Sequence, residues 1–300
     1  MRWYPGPLAE LGELRGFVAV VRLSLTPIRD VGLPPFTSAT MKSILMKAEC
    51  LSSLARLYMI YDRAKPVTIR ALKSEDGKPL FADKGRMVRV RRGERLVGEL
   101  GFYLLPEDNP MFPVIECNGE RVKVGPAEFL VETLGAEVLN VEKLGSFPPQ
   151  RIILDLLTPL LLPVKLFASA RAREALKGVK AYRLLPSPGY ILGEAARQAA
   201  LLAFRAEPKV AVRVARRTSY LLEPLVAEVD FRLKPITVSY GRDRRVRGVV
   251  GRIVFEPLVK HFAPQVWGLV RFAGFIGLGK SRSVGFGEVR VSRARGRLGG

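Results

Sequence analysis

The residues best suited to bind a polyanion lie in one short segment near the C-terminus. Four glycines in two G-x-G pairs enclose two serines and two cations: Gly277, Gly279, Lys280, Ser281, Arg282, Ser283, Gly285 and Gly287. Because glycine adopts positive φ and carries no Cβ, we expect a loop whose backbone approaches a ligand and whose amides stay free to donate. Backbone donors beside two cations predict contacts with a phosphodiester backbone.

The same segment matches the phosphate-loop pattern G-x-x-x-x-G-K-S from Gly274 to Ser281. That pattern binds a nucleotide triphosphate when it lies between a strand and a helix whose N-terminus faces the phosphates. Here residues 264–272 predict a preceding helix, and the residues after the loop predict a strand. Only 19 residues follow Ser281. We therefore expect no nucleotide triphosphate at this loop.

Positive charge dominates the chain and is concentrated at its end. The formal net charge is +21, with 49 Lys and Arg against 28 Asp and Glu. Such an excess opposes compaction and indicates an anionic partner. Thirteen of the cations lie between Tyr240 and Gly300. The candidate phosphate contacts outside the glycine loop are Arg242, Arg244, Arg245 and Arg252, with a solvated loop as the alternative for residues 240–247.

Composition limits the remaining function classes. A hydrophobic content of 48% supports a packed core, and no apolar run reaches the roughly 18 residues of a membrane span. The N-terminus lacks a signal-peptide layout, so we expect a cytoplasmic protein with no membrane partner. Two cysteines and one histidine are too few for a disulfide framework or a conventional zinc site. We therefore expect no metal and no other cofactor. The six Asn and Gln are compatible with a thermophile or with genomic base composition.

Hydrophobic spacing in the first half predicts strands around one helix. Gly16–Leu25 is a β-branched run typical of a central strand. Thr37 or Ser38 is the candidate N-cap of a helix whose apolar stripe extends over Met41–Tyr58. Strand-like stretches follow between residues 67 and 138. Strand, helix and further strands form the opening of a split β-α-β unit.

The proline-rich break at Gly145–Pro149 divides the chain into units of residues 1–146 and 147–300. The second unit opens with a strand at Arg151–Pro159, and helices are predicted at Leu166–Lys177 and Ile191–Ala206. Later strands are predicted at residues 226–233, 249–255 and 288–291, with one more helix before the glycine loop. This order favours an α+β fold of two tandem helix-on-sheet units.

The C-terminal motifs resemble those of the CRISPR-associated RAMP superfamily. The resemblance is carried by the Gly277–Gly287 loop, which runs into a C-terminal strand. With Tyr240–Arg242 and Gly248–Phe255 before it, the segment is similar to the family that processes CRISPR repeat RNA. Leu33–Thr37 and Leu156–Leu160 also look like features of that family. The resemblance covers most of the chain, and its specific motifs lie in the last 60 residues.

The resemblance implies two tandem ferredoxin-like (RRM-like) domains, the second with the glycine-rich loop, and an endoribonuclease that cuts precursor CRISPR RNA (crRNA) within each repeat. In that family the reaction needs no metal, because the 2′-OH attacks the adjacent phosphorus and leaves a 2′,3′-cyclic phosphate and a 5′-OH. Such chemistry requires a base, an acid and a cation over the developing charge. The implied partners are CRISPR repeat RNA and either a second copy or a CRISPR effector complex.

The candidate catalytic residues depart from the family pattern. Most members have a His at or after the end of the first helix, whereas the one histidine here is His261. The corresponding region offers lysines and tyrosines instead: Lys42, Lys47, Tyr58 and Tyr61. A lysine can stabilise charge or move a proton, and a tyrosine with a pKa near 10 orients or donates. Tyr58 also fits the apolar stripe, and the lysines also fit a solvated surface. We do not expect His261 to be the base.

A second hypothesis assigns these features to binding alone. A RAMP subunit that holds guide RNA in an interference complex needs the glycine loop and the basic surface but no active site. The absence of an N-terminal His favours that subunit. The two-unit layout and Gly248–Phe255 favour the nuclease.

Overall fold

The structure, a computed structural model, describes residues 14–60, 65–82, 86–106, 115–241 and 244–294, without the side chains of Ile60, Ala170 and Arg173. The first half of the described chain forms a five-stranded antiparallel sheet of order β3-β5-β1-β7-β6, and a two-stranded sheet of β2 and β4. Its elements are β1 (Phe17–Pro27), β2 (Val31–Leu33), α1 (Ser38–Lys47), α2 (Ser52–Ile60), β3 (Val67–Ile69), β4 (Val88–Val90), β5 (Leu96–Leu104), β6 (Asn118–Val124) and β7 (Ala127–Asn140).

The second half forms a four-stranded antiparallel sheet of order β11-β12-β8-β13 and a small β9-β10 pair. Its elements are β8 (Ile152–Leu160), β9 (Leu162–Pro163), α3 (Ala170–Ala175), β10 (Tyr182–Arg183), α4 (Pro188–Ala203), α5 (Pro208–Leu222), β11 (Val226–Tyr240), β12 (Arg244–Pro257), α6 (Ala263–Ile276) and β13 (Val289–Arg293).

Strand β1 is buried on both faces, which explains its apolar, β-branched sequence. Leu23 and neighbours on one face share a hydrophobic cluster with Met41 of α1 and Leu54 of α2. Val18 and Val20 on the other face share a cluster with α6 and the second sheet. Helix α6 therefore packs across the first sheet and connects the two halves of the molecule.

The predicted first helix is wrong in one respect, because the structure divides it into α1 and α2. Ala48 is extended (φ −69°, ψ 125°), and a 3₁₀ turn follows at Glu49–Leu51. The carboxylate of Glu120 in β6 accepts hydrogen bonds from the backbone N–H groups of Glu49 (2.7 Å) and Cys50 (3.0 Å). Cys50 also forms a disulfide with Cys117. These tertiary contacts satisfy the backbone where the helix stops.

The predicted N-cap is also corrected. Thr37 occupies the position before α1, but its side chain makes no cap hydrogen bond. Its hydroxyl donates to the carbonyl of Leu80 (2.6 Å) and accepts from the N–H of Leu72 (3.0 Å). The hydroxyl of Ser38 donates to Val284 in the glycine loop (2.7 Å). Both side chains join distant segments instead of capping the helix.

The structure differs from the sequence analysis at three places in the second half. Leu166–Lys177 is a 3₁₀ turn and the short helix α3, separated by extended Ala168 and by Ser169, whose hydroxyl caps α3. Helix α5 was not predicted, although Pro208 begins it and its buried residues recur at three- and four-residue spacing. The strand predicted at residues 249–255 begins earlier, at Arg244, inside the segment for which a solvated loop was the alternative.

A buried ionic network fastens the end of α6 to the first sheet. The carboxylate of Glu99 in β5 accepts from Arg70 and Lys73, each at 2.6 Å. Lys73 also pairs with Glu288 (2.7 Å), and Arg70 donates to the carbonyl of Gly274 in α6 (2.6 Å). Burial alone would raise the pKa of Glu99, but the charges of Arg70 and Lys73 outweigh it and lower the pKa to about 2. Among the described helices, none has the length and apolar character needed to cross a membrane.

Candidate functional site

The glycine loop connects α6 to β13 and has a left-handed backbone at five positions. Its positive φ values are 80° at Gly277, 76° at Gly279, 65° at Ser281, 97° at Gly285 and 67° at Gly287. Glycine adopts such angles without the steric cost that a Cβ brings. The spacing of glycines in the sequence therefore matches the points where the chain turns.

Most amides of the loop bond to the protein itself. The N–H of Leu278 donates to Gly287 (2.8 Å), that of Lys280 donates to Leu161 (2.9 Å), and that of Gly287 donates to Pro159 (3.1 Å). Four loop amides have no acceptor within the described part of the chain: Gly279, Ser281, Arg282 and Ser283. The expected free donors are thus confined to the segment around the two cations.

The space beside three of the glycines is filled by the protein's own atoms. A Cβ on Gly279 would lie 2.6 Å from the carbonyl oxygen of Leu161. A Cβ on Gly285 would overlap Ser38 of α1, and one on Gly287 would overlap the carbonyl of Leu278. The missing Cβ atoms let the loop pack against itself and against the first helix.

Arg282 is directed into the protein, with only 7% of its surface exposed. Its guanidinium donates to the hydroxyl of Thr68 in β3 (3.1 Å) and to the carbonyl of Ile276 at the end of α6 (2.8 Å). Burial, together with the nearby charge of Arg197, lowers the pKa of Arg282 to about 10, so it stays cationic at neutral pH. Its contacts tie the loop to the first unit.

The opposite wall of the site is formed by α1 and α2. The hydroxyl of Tyr58 in α2 donates to the carbonyl of Ser283 (3.3 Å), beside the contact that Ser38 makes with Val284. Tyr58 is buried, and burial raises the pKa of its phenol although the bond to Ser283 opposes the shift. Hydrogen bonds therefore join α1 and α2 directly to the tip of the glycine loop.

Two lysines lie over the ring of Tyr58. The Nζ atom of Lys65 is 4.6 Å from the ring centroid and that of Lys42 is 5.7 Å from it, within the range of a cation–π contact. Lys65 also donates to the backbone carbonyl of Tyr58 (2.8 Å). Burial raises the pKa of Tyr240 at the end of β11, and the charge of Lys42 partly opposes that shift. Two cations and two phenols thus converge beside the loop.

Cationic clefts lie on both sides of the loop. A cleft of 940 Å³ has Tyr240, Arg244, Arg245 and Arg247 among its lining residues, and Lys280 and Ser283 contribute to it from the loop. A second cleft of 470 Å³ has Lys65, Lys165 and Arg197 among its lining residues, again with Lys280 and Ser283. The loop segment that carries the free amides is a ridge between two basic surfaces.

The remaining predicted residues lie elsewhere. Lys47 donates to the carbonyl of Lys123 in β6 (3.0 Å), and no contact with Tyr58 is found for it among the described residues. Arg252 pairs with Asp155 (2.6 Å), which raises the pKa of the arginine. His261 is exposed in the turn before α6, with its ring 5.3 Å from that of Phe262. Tyr61 and Arg242 lie outside the described residues.

Several residues of the site were missed by sequence reasoning: Tyr240, Arg247, Lys165, Lys180 and Arg197. Tyr240 and Arg247 belong to the segment that the sequence identified as basic, so their position was partly signalled. The other three come from the region around α3 and α4 and are far from any motif in sequence. Only tertiary structure brings them to the loop.

The fold and the site define a class of protein in which two α/β units share a glycine loop flanked by cationic clefts, an arrangement suited to a polyanion. Residues 19–139 match the Cas6 N-terminal domain, and residues 154–289 match the family described as CRISPR-associated endoribonuclease Cas6. The chain therefore belongs to the Cas6 family.

The similarity to known Cas6 proteins extends over nearly the whole chain. Two curated CRISPR-associated endoribonucleases of Saccharolobus solfataricus, Cas6 1 and Cas6 2, are 27% and 26% identical over 283 and 278 residues, which is 89% of this chain and 94% and 93% of theirs. A Cas6 product complex shares the fold with a TM-score of 0.61 at 18% identity, over 92% of this chain and 100% of that one. Thermus thermophilus Cas6 gives a TM-score of 0.58 at 17% identity, over 93% and 99%.

Proposed function

We propose that this protein is an endoribonuclease that binds CRISPR repeat RNA and cuts precursor crRNA within the repeat. The observation that carries the proposal is the convergence of Lys42, Lys65 and Tyr58 on the loop tip between two cationic clefts. RNA held along the clefts would pass over the ridge, where the cations lie. Membership of the Cas6 family and the endoribonuclease names of its relatives support the same function.

The proposed reaction is an internal transfer at phosphorus that uses no metal ion. The 2′-oxygen loses its proton and attacks the adjacent phosphorus, while the bond to the 5′-oxygen breaks and that oxygen takes up a proton. The products are a 2′,3′-cyclic phosphate and a 5′-OH. Negative charge that develops on the phosphoryl oxygens is stabilised by the ammonium groups of Lys42 and Lys65. The clefts hold the backbone in line for the attack.

The two phenols act as hydrogen-bond donors in this scheme. Burial raises the pKa of both Tyr58 and Tyr240, so both stay protonated at neutral pH and neither serves as a base. Tyr240 lines the larger cleft and is assigned to a donor role there. Tyr58 is buried under the loop and is assigned to positioning the two lysines. Tyr61 stays a candidate for proton transfer, and Lys47 is assigned to the contact between α1 and β6.

The RNA-binding residues divide into contacts and scaffold. Lys280, Arg244 and Arg245 line the larger cleft and are proposed to contact phosphates, with the amides of Gly279 and Ser281 as further donors. Arg252 extends the basic surface along the hairpin of β11 and β12. Arg242 stays a candidate phosphate contact from the sequence. The scaffold that shapes the loop consists of Gly277, Arg282, Gly285 and Gly287.

We interpret each sheet with its helices as a variant of the ferredoxin-like arrangement, with the domain boundary between residues 146 and 147. This interpretation is supported by the two sheets, which are built from residues 17–140 and 152–293. A cytoplasmic location and association with a CRISPR effector complex belong to the same proposal.

The test is to incubate purified protein with repeat RNA in EDTA. A single cut with a cyclic-phosphate end supports the proposal, and the same RNA with a 2′-deoxy nucleotide at the cut position should bind equally and stay intact. Cleavage of the deoxy RNA would contradict attack by the 2′-OH. Tight binding with no cleavage of either RNA would instead support a guide-RNA-binding subunit, which the absence of an N-terminal His favours.

A further inference from the structure

A buried carboxylate lies in α4, beside the glycine loop. The side chain of Glu194 exposes none of its surface. Its oxygens accept hydrogen bonds from Nε and Nη2 of Arg197, each at 2.7 Å, and Oε1 also accepts from Nε2 of Gln198 (2.7 Å). A buried charge is costly unless such partners satisfy it, and a buried ion pair often stabilises a fold no more than apolar side chains of similar volume. Stability alone therefore does not account for a charge at Glu194.

The same carboxylate is connected to the glycine loop through Gln198. This side chain is 3% exposed, and its Nε2 also donates to the carbonyl of Gly279 (3.3 Å). An amide group carries two N–H donors, so Gln198 can bond to Glu194 and to Gly279 together. Gly279 is the first of the four loop residues whose amides have no acceptor within the described part of the chain. Glu194 therefore fixes both that loop segment and Arg197.

Arg197 is the member of this network that reaches solvent. Its side chain is 21% exposed and lines the smaller cleft of 470 Å³. Glu194 holds Nε and Nη2, whereas Nη1 makes no hydrogen bond within the described residues. Burial alone would lower the pKa of Arg197, but the charge of Glu194 outweighs it and raises the pKa, so the guanidinium stays cationic. An oriented cation with one nitrogen left to donate is thus held at the cleft.

The other charged residues that line the smaller cleft are all cations. They come from separate segments of the chain: Lys65, Lys165, Lys280 and Arg282. Among the residues that the structure describes, no carboxylate lines this cleft. Like charges gathered around a concave surface repel one another, and they attract an anion into it. Because Arg282 is buried, Arg197 is the guanidinium better placed to meet that anion.

We propose that Arg197 donates from Nη1 to a phosphate of the RNA in the smaller cleft, and that Glu194 is the positioning residue that orients Arg197 and, through Gln198, the loop. The inference rests on the proposed function only in taking RNA as the ligand. A guanidinium makes charge-assisted hydrogen bonds to phosphate oxygens, and its planar fork is already fixed here by a carboxylate. The contact is with one particular phosphate and does not depend on the base sequence.

The test measures binding of repeat RNA in which one phosphate at a time is replaced by a neutral methylphosphonate. A 2′-deoxy nucleotide at the position of any cut keeps the RNA intact, so binding is measured whether or not the chain cleaves. The unaltered chain should lose affinity wherever a contacted phosphate is replaced. Arg197→Gln should weaken binding of the unmodified RNA roughly ten- to a hundredfold, and at one phosphate the methylphosphonate should then have no further effect. The penalties at all other phosphates should persist.

Glu194→Gln tests the positioning role, because it keeps Arg197 charged but removes its ionic partner. It should reduce the penalty at that same phosphate and leave the others unchanged. A merely structural role would weaken binding without changing the penalty at any single phosphate. If Glu194→Gln fails to fold, Glu194→Asp, which keeps the charge but withdraws it by one methylene, gives the same readout. If Arg197→Gln fails to fold, the double variant Glu194→Gln/Arg197→Gln tests the contact without an unpaired buried charge.

Arg151→Gln is the matched control, because Arg151 also pairs with a carboxylate, that of Glu256 (2.8 Å), but lines neither cleft. It should leave every penalty unchanged. Unchanged penalties at every phosphate after loss of Arg197 would overturn the contact and leave the proposed nuclease standing. A penalty that persists in full in the Glu194 variant would overturn the positioning role. Absence of cleavage in EDTA would overturn the nuclease, whereas a penalty lost at one phosphate would still support the contact.

Discussion

The glycine loop and the first helices face each other across the candidate site, but they are built in opposite ways. In the loop, the cation Arg282 is buried and most amides are bonded to the protein. On the helix side, Lys42 and Lys65 carry partly exposed ammonium groups over the ring of Tyr58. The loop therefore contributes mainly shape, and the first unit contributes mainly positive charge beside the loop.

This difference separates two kinds of variant. Changes in the loop core or in the network behind it should lower the stability of the protein first and RNA binding as a result. Changes on the helix side should slow the chemical step in a protein that remains folded and binds RNA. Four experiments test that separation.

The largest effect is expected for Gly287→Ala. The new Cβ would overlap the carbonyl of Leu278 while the backbone stays at φ 67°, so strain and overpacking combine. We expect a loss of roughly 4 to 6 kcal/mol in the free energy of unfolding, measured by denaturant titration. Gly125→Ala is the matched control, because φ is 59° there and nothing lies within 4 Å of the added Cβ. Equal losses of stability in both variants would show that the cost comes from the positive φ and not from packing at the loop.

Glu99→Gln tests the ionic network behind the loop. It leaves Arg70 and Lys73 buried without their shared carboxylate, which should cost about 3–5 kcal/mol at neutral pH. Glu99 has a pKa lowered from 4.5 to about 2, so its stabilisation is present above pH 4.5 and is lost as the pH falls toward 2. Acid titration of stability should therefore be flatter in the variant over that interval. An unchanged slope would contradict the role assigned to Glu99.

Lys42→Ala tests the helix side of the comparison. Loss of one cation over the phosphoryl oxygens should slow cleavage by about 10²- to 10³-fold, or 2.7–4 kcal/mol, under single-turnover conditions with saturating enzyme. Lys47→Ala is the matched control on the same helix, since its ammonium binds the carbonyl of Lys123 instead. A normal rate in Lys42→Ala, with or without a defect in Lys47→Ala, would remove Lys42 from the site, and equal defects in both variants would contradict the role assigned to Lys47.

The smallest effects are expected for the two loop cations, and they should differ in kind. Arg282→Ala removes two buried hydrogen bonds, to the hydroxyl of Thr68 and the carbonyl of Ile276, which then keep only the bond between them, and should cost about 1–3 kcal/mol of stability. Lys280→Ala should leave stability unchanged and reduce the slope of RNA affinity against salt by about one. Unfolding and salt titrations of both variants give the comparison. A reduced salt slope in a fully stable Arg282→Ala would assign that arginine to the RNA as well.

Local sequence pattern predicted those parts of the fold that depend on local physics. The β-branched run of β1, the helix before the loop and the glycines at positive φ were all identified from residue type and spacing. The break at Ala48 was not, because the carboxylate that stabilises it belongs to Glu120, far away in sequence. Where a distant side chain satisfies the backbone, the periodicity of the helix carries no sign of it.

The cations of the candidate site also differ in ways that local sequence pattern does not predict. Lys280 and Arg282 are two residues apart and look equivalent in sequence, yet Lys280 lines both clefts, whereas Arg282 is buried and borders only the smaller one. The difference arises from Thr68 and the end of α6, which offer acceptors to one side of the loop only. Lys42 and Lys47 are likewise distinguished by what lies opposite them. Residue type indicates which side chains could bind a phosphate, and tertiary contacts determine which of them reach the clefts.

The contacts that Ser38 makes with the loop, and Thr68 and Arg70 make with the end of α6, have a consequence for the design of chimaeras. Thr68 and Arg70 bind carbonyls at the end of α6, so the first unit provides the C-terminal cap for a helix of the second. A first unit taken from a relative would supply a working loop only if it carries the same three donors in place. Exchange of halves between relatives is thus restricted to pairs matched at this junction, however similar their RNA-facing surfaces are.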